Sequence, residues 1–208
     1  MLLNNFIVFE GIDGSGTTTQ INNMIKYCEK RNVKAISTME PTNSSIGLLI
    51  RSFLAKRESF FDETIIRLFA TDRCEHIYGK NGILQYINND FLVFSDRYLF
   101  SSLAYQGFGK LKDLVLRENN DFPLPSTLFF FDLPLEKAIM RIEERNRTKE
   151  IYENIDFLSK VRENYISIID FYKEAEPNMN IVLLDATKDE KLISQDIIEM
   201  LEKFKILK

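Results

Sequence analysis

The 208-residue chain has few of the residues on which several common protein classes depend. Its two cysteines, Cys28 and Cys74, do not make a disulfide framework, and neither has the spacing of metal ligands. The single histidine, His76, has no paired carboxylate or serine pattern, so we interpret it as an ordinary helix residue. These shortages give no support to a disulfide scaffold, a cysteine-based metal site or a histidine catalyst.

Excess positive charge and long apolar runs are missing as well. The formal net charge is −4 at pH 7, which disfavours a duplex nucleic-acid binder but permits a small anionic ligand held by a few cations. The N-terminus has no basic region followed by a long apolar stretch, and the longest apolar runs have the length of strands. We therefore expect no nucleic-acid partner, no signal peptide or membrane span, and a cytoplasmic location.

What the chain does have is a repeated alternation of strand and helix patterns. Near-continuous apolar runs separated by helical patterns indicate a parallel sheet that is covered on both faces. The length, together with 45% hydrophobic residues, is enough for one globular domain over residues 1–208. The predicted strands are 6–9, 34–39, 91–95, 128–133 and 181–184, the predicted helices are 18–30, 45–55, 62–88, 99–106, 135–145, 154–174 and 190–203, and a loop is predicted over 122–126.

Residues 6–20 match a phosphate-binding loop, G-x-x-x-x-G-K-[ST], at every defined position except the lysine, where Thr17 stands. The glycines of such a loop let backbone N–H groups turn toward phosphate oxygens at a helix N-terminus. The hydroxyl of Thr18 would meet Mg²⁺, whereas the cation that usually neutralises the phosphates is missing. The alternative interpretation is a plain strand–turn–helix with glycines at convenient positions.

Two further charged groups have patterns that suit phosphate chemistry. Asp96 and Arg97 close an apolar strand, where the carboxylate could hold Mg²⁺ and the guanidinium could bind a second phosphate. Arg141 and Arg145 lie at helical spacing and suit a lid that closes over a transferring phosphoryl group. The alternatives are a surface ion pair for the first group and a solvated charged face for the second.

Phe69 and Arg73 are four residues apart and therefore share one helical face. A ring and a guanidinium one turn apart suit a nucleoside monophosphate, because the ring can stack on the base while the cation meets the phosphate. The alternative is a core phenylalanine beside an arginine whose stem lies along the apolar surface.

Taken with these residues, the chain resembles the thymidylate kinases, which are P-loop nucleoside-monophosphate kinases. The resemblance covers essentially the whole length, and the DRY, serine-pair and AYQG combination within 95–107 is far more specific than the loop alone. It implies a three-layer P-loop NTPase fold with a five-stranded parallel sheet, a lid at about 141–153, a homodimer, and phosphoryl transfer from ATP with Mg²⁺ to dTMP. The matching segments are 9–20, 38–47, 67–73, 95–107, 130–141, 152–165 and 183–187.

The resemblance also implies roles for individual residues. Asp13 would face the deoxyribose 3′-hydroxyl, Phe69 would stack on thymine, and Arg73 would contact the base edge or the phosphate. The implied dTMP site comprises Asp13, Glu40, Pro41, Arg51, Phe69, Arg73, Arg97, Ser101, Ser102, Tyr105 and Gln106, with Glu40-Pro41 matching a peptide bond that is often cis in the family. The implied ATP site comprises Gly11, Asp13, Gly14, Ser15, Gly16, Thr17, Thr18, Thr19 and Ala186. The implied catalytic residues are Asp13, Asp96, Arg97, Arg141 and Arg145. The implied metal ligands are Thr18 and Asp96.

Three departures from the family pattern remove positive charge near the phosphates. Thr17 replaces the loop lysine, Met39 replaces the arginine usual before Glu-Pro in bacterial members, and Ile151 stands where an arginine is common. Losing one positioned transition-state donor costs about 3–4 kcal/mol. Two alternatives to a dTMP kinase therefore stay open at this point: a nucleotide-binding protein with little or no kinase activity, and a kinase for another deoxynucleotide or a deoxynucleoside.

Overall fold

The computed structural model describes residues 1–144 and 155–207. Five parallel strands form one sheet in the order β2-β3-β1-β4-β5, which confirms the predicted α/β architecture. The strands are β1 Leu2–Gly11, β2 Ala35–Met39, β3 Leu92–Asp96, β4 Leu124–Asp132 and β5 Asn180–Asp185. The helices are α1 Thr17–Lys30, α2 Ser45–Leu54, α3 Asp62–Tyr78, α4 Ile83–Ile87, α5 Leu99–Gln106, α6 Lys112–Asn119, α7 Leu135–Glu143, α8 Ile155–Ala175 and α9 Glu190–Lys203, with a short 3₁₀ turn at Gly109–Leu111.

The apolar runs of the inner strands form the core. Every residue from Phe6 to Phe9 in β1 is completely buried, as are Val93 and Phe94 in β3. Such burial on both faces is what a parallel sheet between two helical layers requires. One group of helices includes α1 and α9, which contact each other, and another includes α3, α5, α6 and α8. Among the helices of the described residues, none combines the length and the apolar character that crossing a membrane requires.

The long helix predicted over 62–88 is wrong, because the chain forms α3 and α4 with a turn between them. The break occurs at two glycines at which the backbone folds back on the end of α3. A Cβ on Gly79 would lie 2.4 Å from the carbonyl oxygen of Glu75, and one on Gly82 would lie 2.8 Å from the carbonyl oxygen of Ile77. Neither close approach leaves room for a side chain.

Two other features near the middle of the chain differ from the prediction. The predicted loop over 122–126 ends earlier, because β4 already begins at Leu124, and Pro125 pairs with Leu3 of β1. The register shifts between Leu3 and Ile7, so this proline lies beyond the irregularity at the start of the strand. Helix α6 was not predicted.

The parallel arrangement brings the carboxyl ends of the strands to one edge of the sheet. Met39 at the end of β2 pairs with Asp96 at the end of β3, and Asp96 pairs in turn with Phe9 of β1. On the other side of β1, Asp132 of β4 pairs with Asp185 of β5. Asp96, Asp132 and Asp185 therefore lie along one edge of the sheet.

Candidate active site

A tight loop connects β1 to α1 at the centre of this edge. Gly14 and Gly16 have φ angles of +85° and +96°, a region that residues with a Cβ rarely adopt. Gly16 is the N-cap of α1, and no side chain in the described part of the chain caps that helix end. The first N–H groups of α1 are thus left for an external acceptor, and a phosphate is the acceptor that suits such a helix end.

The two threonines at the start of α1 have different surroundings. Thr17, at the position of the missing lysine, is buried in the loop. The hydroxyl of Thr18 donates a hydrogen bond to Oδ2 of Asp96, which joins the phosphate loop to the end of β3. A hydroxyl and a carboxylate side by side are hard oxygen ligands of the kind that Mg²⁺ takes. Within residues 1–144 and 155–207 there is no cluster of three or more acidic, histidine or cysteine ligands, so Mg²⁺ would need oxygens from phosphates and water as well.

A cavity of about 550 Å³ opens beside the loop. It brings together all the residues predicted for the dTMP site except Arg51. Its wall also contains residues that sequence reasoning missed, most of them apolar, which come mainly from the end of α2 and from α3, with one from α8. The predicted residues that line it are Asp13, Glu40, Pro41, Phe69, Arg73, Arg97, Ser101, Ser102, Tyr105 and Gln106; the additional ones are Phe53, Leu54, Asp62, Ile65, Ile66, Tyr98, Phe108, Leu111 and Phe157.

Arg51 instead binds the loop that follows β2. Its Nη1 donates to the carbonyl oxygen of Thr42 at 2.7 Å, and its Nη2 donates to the carbonyl oxygen of Pro41. The Glu40–Pro41 peptide bond is cis, as the family pattern implies. Arg51 therefore holds the backbone of this loop, which is a different task from the implied binding of dTMP.

Arg73 is almost completely buried, and an acid neutralises its charge. Its Nη2 lies 2.7 Å from Oε2 of Glu40 and 3.0 Å from the hydroxyl of Ser102, and its Nη1 donates to Oδ1 of Asn119. The other carboxylate oxygen of Glu40 lies 3.0 Å from Nδ1 of His76. His76 therefore does have a carboxylate partner, which the sequence did not indicate because the two residues are 36 positions apart.

Arg97 occupies the border between the cavity and the phosphate loop. Its backbone has a φ of +73°, an uncommon value for an arginine, and its N–H is fixed by a 2.9 Å bond to the carbonyl of Phe9. Its Nη2 lies 2.6 Å from Oδ1 of Asp13, while its Nη1 lies 3.1 Å from the hydroxyl of Ser101 and 3.3 Å from that of Tyr165. The guanidinium is thus held at a fixed place in the cavity wall.

Behind Arg97 lies Glu10, a buried carboxylate that the sequence analysis did not single out. It accepts hydrogen bonds from the hydroxyls of Ser101 and Tyr165 at 2.7 Å and 2.8 Å. Burial raises the pKa of Glu10 from 4.5 to about 7, although Arg97 and the hydrogen bonds act in the opposite direction. Glu10 and Tyr165 both lie in segments that match the family, 9–20 and 152–165, and Glu10 is also a charged residue in an apolar strand.

A second cavity, of about 280 Å³, lies on the other side of the phosphate loop. Four of its lining residues were predicted for the ATP site: Gly14, Ser15, Gly16 and Thr19. Sequence reasoning missed Gln20, Glu144, Lys188, Glu190 and Ile193, which also line it.

Arg141 lies in the wall of this second cavity. It donates to the carbonyl oxygen of Gly14 at 3.2 Å and to that of Ala186 at 2.9 Å. Ala186 is completely buried, and its backbone carbonyl contacts the arginine. Arg141 therefore fastens the phosphate loop to the loop after β5, while Arg145 lies outside the described residues.

Comparisons with known proteins agree with this geometry. The family model described as thymidylate kinase matches residues 9–197. A putative thymidylate kinase from Treponema pallidum is 37% identical over 207 residues, covering 100% of this chain and 99% of that protein. A probable thymidylate kinase from Methanococcus aeolicus is 37% identical, covering 99% and 100%, and one from Pyrococcus abyssi is 36% identical, covering 95% of each chain.

Proposed function

The chain belongs to the thymidylate kinase family, and we propose how its own residues divide the work of that reaction. As a dTMP kinase, it transfers the γ-phosphoryl group of ATP to dTMP and releases dTDP and ADP. The comparisons do not favour a nucleotide-binding protein that lacks kinase activity or a kinase for a different acceptor. In such a reaction the protein contributes mainly position and charge compensation, so each assignment rests on where a donor or a charge lies.

The larger cavity holds dTMP. Phe69 lies in its wall and stacks on the thymine ring, while Arg73 donates to the edge of the base. Because the charge of Arg73 is compensated by Glu40 at 2.7 Å, this arginine acts as a fixed hydrogen-bond donor more than as a phosphate cation. The phosphate of dTMP binds Arg97, whose partner Asp13 has a 67% exposed side chain and can turn to the 3′-hydroxyl.

The phosphate loop holds ATP through its backbone. The N–H groups at the start of α1 face the β- and γ-phosphates, and Arg141 keeps Gly14 and Ala186 at a fixed separation around the nucleotide. Thr18 and Asp96 would hold Mg²⁺, which would neutralise charge on the phosphate oxygens. The missing lysine leaves this end of the site with less positive charge. The lid that the resemblance implies at about 141–153 would supply the remaining cation through Arg145, although residues 145–153 lie outside the described residues.

The single observation that carries this proposal is the place of Arg97 between Asp13 of the phosphate loop and the walls of the larger cavity. It supports a guanidinium that binds the acceptor phosphate close to the loop that binds the donor phosphates. The test measures ADP release from ATP with dTMP, dUMP, dGMP and thymidine as acceptors, with Mg²⁺ supplied. We expect the highest kcat/KM with dTMP, and binding of both nucleotides in calorimetry without turnover above background would contradict the proposal.

Three features stay predictions: one domain over the whole chain, a homodimer and a cytoplasmic location. The family resemblance implies the dimer, and the apolar face of Ile65, Leu68 and Phe69 is compatible with it, although Ile65 and Phe69 line the larger cavity. Light scattering at several protein concentrations measures the mass, and a monomer at all of them would contradict the dimer.

A further inference from the structure

Glu10 is a buried acid for which the proposed reaction has no direct use. It lies one residue from the end of the central strand β1, is 1% exposed, and forms no ion pair at salt-bridge distance with any described residue. A charged carboxylate in such a place is costly unless several donors surround it. Four donors do so, and they come from two helices that both reach the larger cavity.

Two of the donors belong to the first turn of α5. The backbone N–H of Tyr98, its N-cap, lies 2.8 Å from Oε1 of Glu10, and the N–H of Ser101 lies 3.2 Å from the same oxygen. No side chain of α5 itself caps this helix. Glu10 therefore caps α5 from the sheet, and a negative charge is favourable at this end of a helix.

The other two donors are hydroxyls that also contact Arg97. Ser101 Oγ and Tyr165 OH lie 2.7 Å and 2.8 Å from Oε2 of Glu10, and both lie within 3.3 Å of Nη1 of Arg97. A hydroxyl that gives its proton to a carboxylate presents its lone pairs elsewhere. The carboxylate of Glu10 thus turns both hydroxyls into acceptors for the guanidinium.

We propose that Glu10 is a positioning residue for the acceptor phosphate: it orients the hydroxyls of Ser101 and Tyr165 so that they hold Arg97. This inference rests on the proposed function, because it assumes that Arg97 binds the phosphate of dTMP. Only the ionised carboxylate accepts from all four donors, since protonation turns one of its oxygens into a donor. Arg97, Ser101, Tyr98 and Tyr165 are the groups that face Glu10 from the neighbouring elements, and Tyr105 lies beyond Arg97 with its ring 5.3 Å from the guanidinium carbon.

The test compares Glu10→Gln with the wild type in steady-state kinetics, varying dTMP and ATP separately. Glutamine has the same shape but donates from one end, so we expect the KM for dTMP to rise about tenfold to a hundredfold while the KM for ATP stays near its wild-type value. The pH dependence supplies a second measurement. The ratio of the variant's KM for dTMP to that of the wild type should fall toward one below about pH 7, where the wild-type carboxyl also carries a proton.

Controls separate positioning from a loss of structure. Ile169→Ala removes buried packing one helical turn beyond Tyr165, and it should lower the melting temperature without a selective rise in the KM for dTMP. Tyr165→Phe removes one of the two hydroxyls that connect Glu10 to Arg97. Combined with Glu10→Gln, it should raise the KM for dTMP by less than the product of the two single effects.

Equal changes in both KM values, or a KM ratio that does not vary with pH, would overturn the role of Glu10. Arg97→Ala distinguishes this failure from a failure of the proposed function. If Arg97→Ala leaves the KM for dTMP unchanged, the assignment of Arg97 to the acceptor phosphate is wrong. If Arg97→Ala raises that KM and Glu10→Gln does not, only the role of Glu10 is wrong.

Discussion

Replacing Thr17 with lysine should raise kcat. Thr17 is the first residue of α1 and is buried in the phosphate loop, so a lysine there would begin its stem beside the donor phosphates. The nearby described arginines already have partners, since Arg97 binds Asp13 and Arg141 binds two backbone carbonyls. A positioned donor at such a site contributes about 3–4 kcal/mol, so we expect a gain of up to about 10²- to 10³-fold in kcat.

The assay is ADP release at saturating ATP and dTMP, with Thr17→Met as the matched control. Methionine has a stem of similar reach without the ammonium, so it reports the effect of filling the loop and should give no gain. Thermal unfolding of each variant shows whether the loop has kept its structure. A lysine variant that is slower than the wild type, with an unchanged melting temperature and unchanged ATP affinity, would refute the reasoning, because it would mean that another cation already occupies the space.

Three more changes test other parts of the site. Between pH 4.5 and about 7 the folded protein holds a proton on Glu10 that the unfolded chain releases, so this group stabilises the fold below pH 4.5 and the stabilisation is lost as the pH rises through 7. In urea unfolding, the free energy of unfolding of the wild type should decline between pH 5 and 8 by about 2–3 kcal/mol more than that of Glu10→Gln. An equal pH dependence in the two proteins would contradict the assignment. Arg141→Met should raise the KM for ATP several-fold with little effect on that for dTMP, and the reverse pattern in steady-state kinetics would exclude a role for Arg141 at the ATP loops. Phe69→Leu should weaken dTMP binding in calorimetry by about 1–2 kcal/mol, because base stacking on a ring is lost, and unchanged affinity would place the base elsewhere.

The sheet could be predicted from the sequence because its signal is local. The run Phe6–Phe9 is apolar at every position, which is the pattern of a strand buried on both faces, and β1 contains it. Helices α5 and α9 have the predicted bounds, since an amphipathic pattern with clear ends identifies each of them. The end of α3 could not be found in this way, because only the backbone contacts at Gly79 and Gly82 require the chain to turn there.

Only those parts of the site that lie in recognisable sequence motifs could be predicted. The cavity residues from 95–107 form one short pattern, and the resemblance brought them together before any geometry was known. Glu10 and Tyr165 are 155 positions apart and belong to a strand and a helix that meet only after folding. The sequence does not reveal either that Glu40 neutralises the charge of Arg73.

The two arginines of the larger cavity have opposite electrostatic surroundings, and this difference decides what each can recognise. Arg73 is 1% exposed, and its carboxylate partner Glu40 is buried with it, so an incoming phosphate would have to displace a desolvated ion pair. Arg97 is paired with Asp13, whose side chain is mostly in water and can leave at little cost. A phosphate therefore gains more from Arg97, and a neutral base edge gains more from Arg73. In the proposed site, Arg97 is the guanidinium through which the pocket selects a nucleoside monophosphate over a nucleoside. The groups that hold this guanidinium, Asp13 in front and Glu10 behind, then take part in the recognition of the acceptor.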